Sequence, residues 1–294
     1  MPTTAQTDRV ALLTGGTSGI GRYAAMDLAE RGWTVTVVGR DRDRGESLTT
    51  KSSTLSGDIR FHRTDLATQS AVRSLADDVR DRYGQLDALV HNAGLSSSDR
   101  VETTDGVERT MAVNFLAPYL LTHELIDIVR SSSPARIVTT GSELHRRAEL
   151  DMDDFQFECD YDALQAYARS KLALVAFSLE LADRLPDERV TVNSFHPGFV
   201  PSTNLFRDAS LLTRVLVRAA GMVPGVGTRP RTGGERLVRL VTVPTFGDQT
   251  GTYVTGDGIV PPSDEASDPA TRTQVWEHSA TLVGVEPDWP SVSE

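Results

Sequence analysis

Short runs of apolar, β-branched residues alternate along this chain with longer stretches whose apolar positions recur every three or four residues. The short runs, closed by Gly, Pro or Asp, read as strands buried on both faces; the longer period reads as helix. In the first unit, Val10-Ala11-Leu12-Leu13 is followed by a turn of Thr14, Gly15, Gly16, Thr17, Ser18 and Gly19. Helical spacing then covers 20–31 until Gly32, and a β-branched run over 34–38 closes at Gly39. Strand, turn, helix and strand in that order form a βαβ unit. Further strands are predicted at 59–62, 88–91, 136–140, 190–195 and 252–255, and helices over 70–83, 106–130, 161–185 and 270–282.

Such alternation builds a parallel sheet covered by helices on both faces. The expectation is a single doubly wound α/β (Rossmann) domain over 1–294 with a sheet of about seven strands. Two parts depart from the rhythm. Residues 204–231 mix Leu211, Leu212, Val215, Leu216 and Val217 with arginines before a Pro/Gly-rich stretch, a pattern that fits a substrate lid or a surface helix. Residues 259–294 read as a C-terminal extension.

Composition narrows the function classes. With 39% hydrophobic and 24% charged residues the balance is that of a soluble globular protein. No uninterrupted apolar run approaches the ~18 residues of a membrane helix, and Met1 to Arg9 is polar. A cytoplasmic protein without an integral membrane segment is therefore expected. A net charge of -11 argues against nucleic acid as a partner. One cysteine, Cys159, excludes an internal disulfide and reads as surface filler. His62, His123 and His278 lack metal-ligand spacing, and Asp151, Asp153 and Asp154 lack a calcium-loop pattern, so no metal site is expected. His145, just after the strand that carries Ser142 and beside Arg146 and Arg147, reads as a surface histidine, the alternative being a contact with substrate or a catalytic group.

In an open parallel sheet, ligands bind beyond the carboxyl ends of the strands, where a helix N-terminus offers free N–H groups to phosphate. Gly15, Gly19 and Gly21 stand at that place, where the chain must turn sharply and approach a pyrophosphate closely. The second strand ends in Gly39 and Arg40, without the acid that binds a ribose hydroxyl and with a guanidinium suited to a 2'-phosphate. This favours NADP(H) over NAD(H). Asp65-Leu66 and Asn92-Ala93-Gly94 close the third and fourth strands on the same edge. There Asp65 is placed to accept from an adenine amino group, Leu66 to pack on the ring, and the small residues to let a cofactor approach.

Far downstream lies Tyr167-Ala168-Arg169-Ser170-Lys171. Residues i and i+4 share a helix face, so phenol and ammonium converge, and a nearby cation draws a phenol of pKa ~10 toward acid/base work. Among thirty basic residues only Lys51 and Lys171 are lysines, which makes Lys171 hard to dismiss as a solvated charge.

Taken in order, Thr14-Gly15-Gly16-Thr17-Ser18-Gly19-Ile20-Gly21, Asp65-Leu66, Asn92-Ala93-Gly94, Asn114, Ser142, Tyr167 with Lys171, and Pro197-Gly198 make residues 9–258 resemble the short-chain dehydrogenase/reductase family. The resemblance implies a tetrad of Asn114, Ser142, Tyr167 and Lys171. Tyr167 would exchange a proton with the substrate oxygen, and Ser142 would hydrogen-bond that oxygen. Lys171 would hold the nicotinamide ribose and depress the tyrosine pKa, and Asn114 would anchor a water feeding the lysine. Cofactor contacts are implied at Gly15, Thr17, Ser18, Gly19, Ile20, Gly21, Arg40, Asp65, Leu66, Asn92, Ala93 and Gly94. Others fall at Tyr167, Lys171, Pro197, Gly198, Val200, Ser202 and Thr203, the last two competing for a place near the nicotinamide carboxamide.

The long gap between Ser142 and Tyr167, Ser170-Lys171-Leu172-Ala173, His196-Pro197-Gly198 and the Trp276, Ser279, Leu282, Gly284 tail look like the retinol dehydrogenase-like branch. Asn204-Leu205-Phe206-Arg207 is similar to protochlorophyllide reductases. That branch implies a bulky, largely apolar ketone, aldehyde or alcohol as the small-molecule substrate. Members form dimers or tetramers as well as monomers, so a homodimer or homotetramer stays open. His91 stands where the family usually has Asn, a mild change if the backbone does the work there. The main expectation is an NADP(H)-dependent carbonyl/alcohol oxidoreductase; the alternative is a non-catalytic NADP(H)-binding redox sensor or interaction module.

Overall fold

A computed structural model describes residues 9–132, 134–185, 189–201, 227–256 and 258–290. Its strands are β1 (Val10–Thr14), β2 (Thr34–Gly39), β3 (Asp58–Arg63), β4 (Ala88–His91), β5 (Ala135–Thr140), β6 (Val190–His196), β7 (Thr252–Thr255) and β8 (Gly258–Val260). They form one eight-stranded sheet in the order β3-β2-β1-β4-β5-β6-β7-β8. β1 to β7 pair in parallel, as the apolar runs predict. The sheet is one strand larger than expected: β8 pairs antiparallel with β7. Only three residues long, set between a left-handed Gly256 and Pro261 and with Ile259 48% exposed, β8 offers no apolar run to recognise. The C-terminal extension therefore begins inside the sheet.

The helices are α1 (Gly19–Glu30), α2 (Arg42–Ser52), α3 (Gln69–Arg82), α4 (Arg109–Ser131), α5 (Ala163–Arg184), α6 (Pro230–Thr242), α7 (Asp264–Ser267) and α8 (Pro269–Val283). One apolar cluster joins α3, α4, α5 and α8 on one face of the sheet, and a second joins α1 and α6 on the other. Both faces are thus covered, as near-continuous apolar strands require. Side chains set the helix starts: Asp162 accepts from Gln165 N at 2.8 Å, so α5 begins two residues later than predicted. Likewise Glu108 caps α4 through Thr110 N (2.8 Å) and Met111 N (2.7 Å).

One helix was missed, and two other expectations meet the structure only in part. α2 was not predicted, because only Gly45, Leu48 and Ser52 on it are buried and no apolar stripe marks it; Asp41 caps it. Residues 109–131 do form a helical run long and apolar enough to cross a bilayer, although no uninterrupted apolar run marks it, and most of that run is buried within the fold. Of the predicted lid, 204–226 lie outside the described residues, and its end belongs to the coil before α6 and to α6 itself.

Candidate active site

The chain leaves β1 toward β2 and β3, then returns to continue at β4, so the direction of winding reverses between β1 and β4. At this switch point the carboxyl ends of the strands diverge and a crevice opens. A cavity of about 600 Å³ lies there, running from Arg40 and Asp65 past the Gly15–Gly19 turn to Ser142, Tyr167 and Lys171.

The floor is laced by one side chain. Asn92 Nδ2 donates to the carbonyls of Thr14 (3.2 Å) and Gly15 (3.3 Å), while Asn92 Oδ1 accepts from Thr140 Oγ1 (3.4 Å). The ends of β1, β4 and β5 are thereby tied together. Gly15 (φ 69°) packs so tightly that a Cβ there would lie 2.7 Å from Ala93 Cα. That turn fits a pyrophosphate, since its backbone faces the cavity at the start of α1.

At the far end, Tyr167 and Lys171 lie on α5 and are 5% and 3% exposed. Lys171 Nζ donates to Thr140 O at 2.8 Å and sits 5.8 Å from the centroid of the Tyr167 ring. Burial pushes the Lys171 pKa down to about 7. Burial also pushes the Tyr167 phenol up to about 12, against which a hydrogen bond from Ser142 works. Desolvation penalises both charged forms and is the largest influence on each group, moving the phenol up and the ammonium down. Ser142 follows β5, and its Oγ accepts from Leu144 N at 3.3 Å.

Of the residues predicted for this site, all within the described set line the cavity except Gly21 and Asn114. Gly21 sits under the turn, where a Cβ would meet Asn92 Nδ2 and Gly15 O at 2.5 Å, so it is a packing glycine. Asn114 is fully buried within a π turn, Ala112–Leu116, of α4. Its Oδ1 accepts from Leu95 N (2.8 Å), and its Nδ2 donates to Leu95 O (2.9 Å) and Ser170 Oγ (3.0 Å). In the structure Asn114 therefore braces the segment after β4 against α5, one residue from Lys171. Ser202 and Thr203 lie outside the described residues.

Asp65 is exposed and accepts from Ala67 N at 3.1 Å. His91 is buried and turned to α4, with Nε2 2.8 Å from Thr122 Oγ1, and burial holds its pKa at about 3. Cys159 is exposed, and no metal-binding group is found among the described residues.

Sequence reasoning missed Thr64, Thr140 and His196, which line the cavity at the ends of β3, β5 and β6. The strand-end rule could have found them. It also misplaced His145, which is fully buried rather than on the surface.

A short-chain dehydrogenase family model matches residues 9–211. The chain belongs to the short-chain dehydrogenase family. As such it is an oxidoreductase acting on CH–OH donors. This short-chain dehydrogenase is 36% identical to a Mus musculus polyprenol dehydrogenase over 95% of its length and 85% of the relative. It is 32% identical to Homo sapiens retinol dehydrogenase 13, covering 97% of itself and 87% of the relative. Among solved structures, an uncharacterized protein from Mycobacterium Paratuberculosis superposes with a TM-score of 0.76 at 26% identity, covering 97% of this chain and 96% of that one. A Pseudomonas aeruginosa RhlG/NADP active-site complex superposes with a TM-score of 0.68 at 28% identity, covering 85% and 95%.

Proposed function

We propose that this short-chain dehydrogenase uses NADP(H) to interconvert a carbonyl and an alcohol on a bulky, largely apolar substrate, with Tyr167 as acid and base. One observation carries the reading: Tyr167, Ser142 and Lys171 meet at one end of a cleft whose other end presents Arg40. A bound nicotinamide supplies the hydride. In the reducing direction Tyr167, a neutral phenol, gives its proton to the substrate oxygen. Ser142 hydrogen-bonds the same oxygen, so the negative charge developing there meets two donors held in place beforehand. Lys171, titrating near neutrality behind the phenol, stabilises the phenolate that Tyr167 becomes and supplies charge for its reprotonation.

The preference for NADP(H) rests on Gly39 and Arg40. Asp41, the nearest acid, is engaged elsewhere: its carboxylate accepts from Arg44 N (3.1 Å) and pairs with Arg44 Nε (3.1 Å). An apolar substrate is supported by Leu164 and Phe199, which line the cavity while staying 50% and 37% exposed. Large apolar side chains held out in water at a cleft mouth fit an apolar ligand. The relatives named for retinol and polyprenol point the same way.

The test is NADPH oxidation with all-trans-retinal and a short-chain aldehyde as alternative substrates. The proposal expects faster turnover of retinal, lost in Tyr167→Phe while NADPH binding persists. Activity that survives loss of the hydroxyl would sink the assigned chemistry.

A further inference from the structure

His145 lies outside the tetrad, yet it holds the main chain of a member of it. From the short 3₁₀ turn Glu143–Arg147, its backbone N–H (3.1 Å) and its ring Nδ1 (2.6 Å) both reach the carbonyl of Ser142. The other ring nitrogen, Nε2, accepts from the backbone N–H of Ser263 at 3.1 Å. Because a backbone N–H can only donate, Nε2 must be the bare nitrogen and Nδ1 the protonated one, so the neutral tautomer is fixed by geometry. Both ring positions are filled and the side chain is fully buried.

This contact is one of three across the same seam. Arg146 Nη2 donates to Pro261 O at 2.5 Å, and Glu265 Oε1 accepts from Leu150 N at 2.6 Å. The segment after β8 therefore closes on the loop that begins at Ser142. Behind that loop, the Tyr253 ring lies 4.8 Å from the His145 ring and so near Gly141 that a Cβ there would be 3.0 Å from Tyr253 Cε2. Gly141 N in turn donates to Phe195 O at 2.8 Å. Ser142 thus enters the cleft from a peptide whose carbonyl is held twice by His145.

We propose that His145 is a positioning residue for the reaction, a neutral imidazole through which the C-terminal segment at Ser263 fixes the Ser142 main chain, and with it the hydroxyl that meets the substrate oxygen. The proposal rests on the role of Ser142 given above. It makes the last stretch of chain part of the active-site scaffold rather than an appendage.

Two pairs of variants of the full chain test it, each compared by kcat with all-trans-retinal, by NADPH affinity and by Tm. His145→Phe keeps the bulk against Tyr253 and loses both ring bonds; His145→Asn keeps a donor near the Nδ1 position. A small displacement of a reacting group can cost up to ~100-fold, so His145→Phe is expected to lose about 10-fold or more in kcat, with His145→Asn recovering most of it and NADPH affinity unchanged in both. Ser263 has φ -66°, a value proline adopts, so Ser263→Pro deletes the N–H that reaches Nε2 and sets the ring Cδ where that proton stood, which displaces the imidazole as well as removing its donor. Ser263→Ala loses the same helix cap but keeps that N–H. Ser263→Pro should lower kcat severalfold beyond Ser263→Ala at matched Tm.

Equal kcat in both pairs, or losses that merely track Tm, would overturn the positioning role. Nitrogen chemical shifts of His145 give a readout free of substrate: a neutral ring protonated at Nδ1 supports the tether, and a ring protonated at Nε2 overturns it. If the wild type turns over no carbonyl while the shifts show the Nδ1 form, the proposed reaction fails and the tether stands.

Discussion

The two ends of the cleft are built on opposite electrostatic terms. At the catalytic end Tyr167 and Lys171 are desolvated, and burial moves both of their pKa values. At the other end Arg40, Asp41, Arg44 and Asp65 are exposed, and their charges are screened by water. A charge interaction of given geometry is worth several times more in the first environment than in the second. Chemistry is therefore placed where charge is costly to make, and selection of a phosphate where charge is cheap to keep. Substitutions at the first end should act on kcat by orders of magnitude, and at the second on affinity by small factors.

The sharpest way to break this contrast is Tyr167→Phe. Loss of a positioned acid costs about 100- to 10,000-fold, and the phenyl ring keeps the packing, so kcat should fall by that factor with NADPH affinity nearly unchanged. A loss below tenfold would mean that the buried end does not hold the proton donor. Next comes the lysine. Burial lowers its pKa to about 7, so its cation is present below that value and lost as pH rises through it. Carbonyl reduction should accordingly decline on the alkaline side with an apparent pKa near 7, and the remaining slow reaction of Lys171→Met should lack that limb. A wild-type profile flat from pH 6 to 9 would count against it.

What could be read from the sequence follows the same division between local and distant. The βαβ start, the glycine turn and the Tyr167–Lys171 pair depend on spacing within a few residues, and all three stand in the structure where spacing put them. The direction of the tyrosine shift was not legible, because it depends on how much water the folded chain removes. His145 looked like a surface residue because its partner Ser263 lies 118 positions away. Asn114 was found by resemblance, yet its contacts run to Leu95 and Ser170 rather than into the cleft. α2 escaped notice because its few buried positions make no stripe, although Asp41 three residues before Arg44 was a cap signal in plain view.

At the exposed end, Arg40→Ala should weaken NADPH binding by about 5-fold and leave NADH binding almost unchanged, since one screened charge-assisted contact is removed. Equal effects on the two cofactors, measured by fluorescence titration, would remove the basis for the 2'-phosphate assignment.

The smallest effect discriminates between readings of Asp41. If this carboxylate repelled a 2'-phosphate, Asp41→Ala would tighten NADPH binding; if it held a ribose hydroxyl, the same change would weaken NADH binding. The geometry gives it a third role, because it accepts from Arg44 N at the start of α2 and pairs with Arg44 Nε. Removing an N-cap costs about 1 kcal/mol, and in a chain of this size that is about 2 °C in Tm. Asp41→Ala should therefore lower Tm by that amount and leave both cofactor affinities within about twofold. Asp41→Asn or Asp41→Ser, which keep a capping oxygen, should restore Tm. A clear change in either affinity without a change in Tm would move Asp41 from the helix to the ligand and weaken the division between the two ends of the cleft.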